Sequence, residues 1–229
     1  MKPTAAEFVE AVRGPLEAGD AEALVREVDR RWTASEVSGL LGASDGCVRG
    51  AVAVVLGMIG TTSQLGVLSR ALHDEDASVR QMAEHALWSV WLRCGADAAL
   101  GPMHDGIKAL AEDRVPAAID HLEEALRRDP EFAEAYHQLG IALSSQERWA
   151  EAAEAFCAAS TRLPSHFAAW AGLGHCCCQL GRWERALCAY RKAMSIHPRL
   201  ADLPEAIERV RARVVETPTV AAWHRAGEG

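Results

Sequence analysis

Four consecutive residues, His175, Cys176, Cys177 and Cys178, concentrate more ligand and nucleophile chemistry than any other stretch of the chain. Imidazole and thiolate are donors that zinc and copper favour, and neighbouring thiols invite redox chemistry. Helical geometry works against both. Consecutive helical side chains point about 100° apart, so the four cannot close a tetrahedral sphere around one ion. Only His175 and Cys178, three apart, share a face, and His137 is the imidazole that an earlier segment could add. The expectation is therefore no metal site, with Cys176 and Cys177 as small fillers of an apolar core. Cys157 and Cys188 fall within helical stretches and are expected to pack, whereas Cys47 and Cys94 have no partner at a useful spacing. Seven Cys in 229 residues are too few for a disulfide scaffold, and no secretory leader pattern opens the sequence. Together these predict a reduced, cytoplasmic setting.

Catalytic signatures are missing as well. The sequence holds no glycine-rich phosphate loop and no H-E-x-x-H pair. His104, His121, His166 and His197 read as isolated surface or packing residues, and Glu123-Glu124 as a solvated helix face. The expectation is a protein with no catalytic residues and no cofactor. Its net charge is −8, and residues 1 to 97 hold 9 Lys+Arg against 14 Asp+Glu. Binding a phosphate backbone needs concentrated cations, so neither nucleic acid nor an anionic membrane is an expected partner. No apolar run reaches the roughly 20 residues of a membrane span.

The elements that position these residues follow from internal repetition. Tyr136, Leu139, Gly140, Ala152, Phe156, Ala159 and Pro164 recur 34 residues later as Trp170, Leu173, Gly174, Ala186, Tyr190, Ala193 and Pro198. One period upstream, Gly106, Ala118, Leu122, Ala125 and Pro130 fit, while Pro102 and Asp105 stand where an aromatic and a Leu are expected. Each unit reads as two antiparallel helices. The Gly of the first is expected to face the small Ala of the second (Gly140 with Ala152, Gly174 with Ala186), and the Pro stops the second helix. Trp149 and Trp183 hold the same position in successive repeats, which favours packing. At these residues the chain resembles the tetratricopeptide repeat (TPR) family. The resemblance implies a concave groove that binds a peptide or helix of a protein partner. It would be lined by Glu134, His137, Ile141, Ser144 and Ser145, then by Ala168, Ala171, His175, Cys178 and Gln179. In the first, degenerate repeat the equivalents are Leu100, Met103, Ile107, Leu110 and Ala111. The Lys, Arg and Asn with which some TPR proteins clamp chaperone tails are absent from these positions.

A second period precedes the first. Asp45, Val48, Arg49 and Leu56 recur 31 residues on as Asp76, Val79, Arg80 and Leu87, and Leu41 corresponds to Leu72. Each Asp can cap a helix, each Val begins its buried stripe, and each Arg can reach an acid of its own or a neighbouring repeat. This segment resembles HEAT-type repeats in the short form of bilin-lyase-related proteins, with Asp20 to Trp32 as a divergent opening helix. That resemblance keeps two alternatives in view, a bilin-lyase-like or isomerase-like activity and a nucleic-acid-binding HEAT fold. Thr4 and Glu7 have capping-box spacing, and Gly14-Pro15 is expected to end the first helix.

The predicted architecture is all-α, a right-handed α-solenoid of antiparallel helix pairs. HEAT-like repeats (1–95) continue into about three TPR repeats (96–200), a capping helix (201–215) and a flexible tail (216–229). The short turn from Cys94 to Gly101 predicts one continuous array, with Trp88 and Trp91 buried at the junction. A non-enzymatic interaction scaffold is the function this predicts.

Overall fold

The computed structural model describes residues 2–216, and the expected tail falls almost wholly outside them. Every regular element among them is helical, and none of the helices is long and apolar enough to cross a membrane. The chain forms two compact units that divide between Leu100 and Gly101.

The first unit contains α1 (Ala5–Ala18), α2 (Ala21–Asp29), α3 (Ala34–Ser38), α4 (Gly46–Ile59), α5 (Leu65–Ala71) and α6 (Ala77–Arg93). The capping box at the start of α1 forms: the Thr4 hydroxyl accepts the Glu7 amide at 3.3 Å, and the Glu7 carboxylate accepts the Thr4 amide at 3.0 Å. Contrary to the sequence expectation, α1 runs through Gly14-Pro15. A proline there removes one amide donor without ending the helix. The stop comes at Gly19, whose φ of 65° lies in the left-handed region that side-chain-bearing residues avoid. Asp20 then caps α2 by accepting the Ala23 amide at 2.9 Å.

The pairing of α4 with α6 carries the 31-residue period. Asp45 and Asp76 cap these helices, accepting the amides of Cys47 and Ser78, each at 2.8 Å. Val48 and Val79 are buried behind them. Arg49 donates to the carbonyls of Ala43 and Ser44 at 2.9 and 3.0 Å, and Arg80 makes the equivalent bonds to Asp74 and Glu75 at 2.7 and 2.8 Å. Arg49 also grips the Asp74 carboxylate with two bonds of 2.8 Å, which holds that carboxyl below the usual range. Gly57 permits the close approach of the pair, since a Cβ there would lie 3.1 Å from the Ala86 Cα. On α6, Trp91 is buried and meets Trp88 edge-on with ring centroids 5.0 Å apart.

The dividing point falls within α7 (Asp97–Ala111). It is followed by α8 (Val115–Arg128), α9 (Ala133–Ser145), α10 (Trp149–Arg162), α11 (Phe167–Gln179), α12 (Trp183–Ile196) and α13 (Leu203–Glu216). Consecutive helices from α8 to α13 pack on one another, making a solenoid of helix pairs capped by α13, whose Ile207 and Val210 are buried. At the glycine of each first helix the nearest neighbour is a large side chain rather than the alanine that the sequence pattern suggested. A Cβ on Gly106, Gly140 or Gly174 would instead strike Leu122, Phe156 or Tyr190, at 2.7, 2.8 and 2.4 Å. The large side chain of the second helix lies on the bare backbone of the first, and Ala118, Ala152 and Ala186 fill the core beside it.

The turns between paired helices repeat as faithfully. Asp113, Glu147 and Gly181 all have positive φ, at 56°, 58° and 68°. In each turn the next residue, Arg114, Arg148 or Arg182, returns its amide to the carbonyl of Ala109, Leu143 or Cys177 at 2.8, 3.0 and 2.8 Å. This closed six-residue turn satisfies a helix-end carbonyl and reverses the chain.

Candidate functional site

Of the residues expected to line a groove, three line one cavity. His175, Cys178 and Gln179 from α11 surround a space of about 280 Å³ with Trp183 and Tyr190 of α12 and Arg209, Val210 and Arg213 of α13. Helical spacing puts the three α11 residues on one side, and α13 closes the far wall. The Arg213 guanidinium lies over the Trp183 ring at 6.0 Å, and Arg209 pairs with Glu205 at 3.0 Å. Cys178 and the Tyr190 hydroxyl are 3.7 Å apart, and burial pushes the Cys178 thiol up and the phenol well above its ordinary value. Neither is a poised nucleophile or base. The wall is aromatic on one side and cationic on the other. The sequence pattern alone had α13 only as a cap.

The remaining groove positions divide. Ile141 is 38% exposed, and Ile107, Ser144, Ser145, Ala168 and Ala171 are partly or fully accessible. Met103, Glu134 and His137 are buried, at 0%, 1% and 4% exposure, so they are in no position to meet a partner. Glu134 and His137 are withdrawn because a third residue claims them. His166, which the sequence suggested was isolated, caps α11 and is itself fully buried.

The Glu134 carboxylate sits at the centre of this cluster. His137 Nδ1 approaches Oε1 at 3.1 Å, Gln138 donates to the same oxygen at 2.6 Å, and His166 Nε2 approaches Oε2 at 2.8 Å. Burial alone would raise the Glu134 pKa, but the two imidazole hydrogen bonds outweigh it and hold the carboxyl down at about 2. His166 Nδ1 accepts the Ala169 amide at 3.2 Å, so its ring proton resides on Nε2 and is donated to Glu134. Burial lowers the His166 pKa, which keeps the ring in this neutral form.

Donor atoms of Glu134, His137 and His166 lie within 4.8 Å of one another, as metal ligands would. The chemistry of the set does not suit an ion. A metal on His166 Nε2 would displace its proton to Nδ1, where it would oppose the Ala169 amide and undo the cap of α11. The cluster ties α9 to the start of α11, one repeat further on.

The cysteines follow their helices. Cys176 and Cys177 are fully buried, as expected of fillers, and all seven thiols are free. Cys188 is exposed rather than packed, because it falls on the outward face of α12, and Cys157 is half-buried. His197 is buried, with its ring centroid 4.8 Å from that of Phe167. Trp149 and Trp183 are both half-buried. The Trp149 ring meets His175 edge-on at 5.6 Å.

Stacked antiparallel helix pairs with a small cavity on their first-helix side define a helical-repeat module. Residues 106–159 and 137–201 match the tetratricopeptide repeat family, and the C-terminal unit carries these repeats. Among solved structures, the chain is similar to the first TPR of Spaghetti (RPAP3), with 18% identity over 52% of this chain and 94% of that one, at a TM-score of 0.50. It is likewise similar to the Sgt2 TPR domain of Aspergillus fumigatus, with 21% identity over 53% of this chain and 82% of that one, at a TM-score of 0.50. Comparison with curated proteins finds no match.

Proposed function

We propose that this protein is a non-enzymatic interaction scaffold whose TPR unit holds a peptide or helix of a protein partner along the first helices of its repeats. The observation that carries the reading is the convergence of His175, Cys178 and Gln179 on one cavity with Trp183 and α13, a concave site offering an aromatic anchor and polar rim groups. The first TPR of Spaghetti was solved bound to the HSP90 peptide SRMEEVD, which supports peptide binding by such a unit. The positions that would clamp an acidic chaperone tail hold no Lys, Arg or Asn here, so the partner is expected to be of another kind. Residues 1–95 we read as HEAT-type repeats, supported by the equivalent carbonyl bonds of Arg49 and Arg80 at a spacing of 31. Seven free thiols support a reducing, cytoplasmic setting.

Ala171, only partly buried, sits one turn before His175 on α11. Ala171→Arg is expected to abolish retention of the partner recovered from the source cell by the wild-type protein, with helicity unchanged by circular dichroism. Normal retention by the variant places the interface elsewhere.

A further inference from the structure

Between α10 and α12 lies a second cavity, of about 310 Å³, that the peptide-binding reading does not use. Its charged lining is Arg162, Arg182, Arg185 and Glu154, three guanidinium groups to one carboxylate, in a chain whose net charge is −8. Arginines elsewhere in the chain commonly find acids, as Arg148 does with Glu151 and Arg209 with Glu205. Among the described residues Arg182 and Arg185 form no ion pair with a carboxylate, and Arg185 reaches only the Cys157 sulfur, at 3.7 Å. Arg162 is held in place: it donates to the carbonyl of Pro130 at 2.7 Å, pairs with Glu131 at 3.4 Å and lies over the Tyr136 ring at 4.4 Å. One fixed and two uncommitted guanidinium groups thus face a concavity floored by small residues, Ala153, Ala158 and the Cys157 thiol.

We propose that this cavity is a binding site for a compact polyanion, a phosphate or a small polycarboxylate, gripped by Arg182 and Arg185 beside the fixed, Glu131-paired guanidinium of Arg162. Planar guanidinium groups match the paired oxygens of such ligands, and charge-assisted hydrogen bonds of this type are about twice as strong as neutral ones. A volume of about 310 Å³ admits a small anion but not a folded segment of polypeptide. The Thr161 hydroxyl is already spent on the Cys157 carbonyl at 2.7 Å, which leaves recognition to the arginines.

Calorimetric titration of the full chain with inorganic phosphate and with citrate, at constant ionic strength, tests the site. Saturable binding of one anion per chain is expected, weakened at least about tenfold in Arg182→Ala/Arg185→Ala, since two charge-assisted bonds are removed. Both arginines are exposed, so the double variant retains the fold, with circular dichroism as the check. Binding that is unchanged in the double variant, or no saturable binding of either anion, overturns the proposal. So does a hexaglutamate peptide that binds where phosphate and citrate do not, because that outcome assigns the arginines to an acidic protein segment. In a second readout, Cys157 is expected to react faster with a dianionic aromatic disulfide than with a neutral one, a preference lost in the double variant and absent from Cys157→Ser. Equal rates count against the site.

Discussion

The ring of Phe156 occupies the space that a side chain at Gly140 would need. A Cβ on Gly140 would lie 2.8 Å from the ring, and one on Gly172 in the next repeat would lie 2.6 Å from it. One aromatic side chain thus rests on two glycines from successive repeats. Tyr190 against Gly174 and Leu122 against Gly106 repeat the first of these contacts.

Because the rings are buried between helices, they have no room to retreat. Gly174→Ala is expected to destabilise the protein by about 1–3 kcal/mol through overpacking, although alanine is the better helix former. Gly101→Ala is the control: Gly101 is exposed on α7 with nothing near its missing Cβ, and the change should be neutral or stabilising by up to about 1 kcal/mol. Thermal melts of the two variants should move in opposite directions or differ by several degrees.

Glu147 adopts the left-handed conformation that its counterpart Gly181 adopts without strain. Glu147→Gly should relieve about 1 kcal/mol of strain, partly offset by the greater freedom of glycine in the unfolded chain, for a net gain of about 0.5 kcal/mol. The expected readout is a higher midpoint of denaturant unfolding with an unchanged slope.

The Glu134 cluster makes acid destabilising. The folded His166 pKa lies below its ordinary 6.5, so below about pH 6.5 the unfolded chain binds a proton that the folded chain refuses. The folded Glu134 pKa of about 2 lies below its ordinary 4.5, so a second loss follows between those two values. Stability should be full above about pH 6.5 and fall in both windows as pH drops. His166→Gln should melt lower than wild type at pH 7.5 but change less between pH 7.5 and 5.5. Glu134→Ala, which strands two imidazoles, should cost about 3 kcal/mol at neutral pH.

Zinc should not stabilise this cluster. With His166 Nδ1 committed to the Ala169 amide, equimolar zinc is expected to leave the melting midpoint unchanged, and elemental analysis of purified protein to find less than stoichiometric metal. A zinc-dependent rise in the midpoint that His166→Gln removes would show that the ion can displace the cap.

The sequence by itself determined the helical class and the repeat spacing. A 34-residue period written in Gly, Ala and aromatic residues has one physical solution, paired helices that cannot bury their faces alone and so must stack. The caps at Thr4, Asp45 and Asp76 were equally legible, because a capping bond spans only two or three residues. Contacts between helices were not. The period places Gly140 level with Ala152, yet side chains lean toward the helix N-terminus, and the ring that covers Gly140 comes from Phe156, one turn further along. His166 escaped for a related reason: its partner Glu134 lies a full repeat upstream, and nothing local marks a loop histidine as buried. One signal was available, since Glu134 and His137 stand where the next repeat has Ala168 and Ala171, a polar pair breaking an otherwise small-residue pattern. Only the tertiary structure decided which groove positions stay open, because a carboxylate hydrogen-bonded to two histidines of its own chain is no longer free to meet a partner.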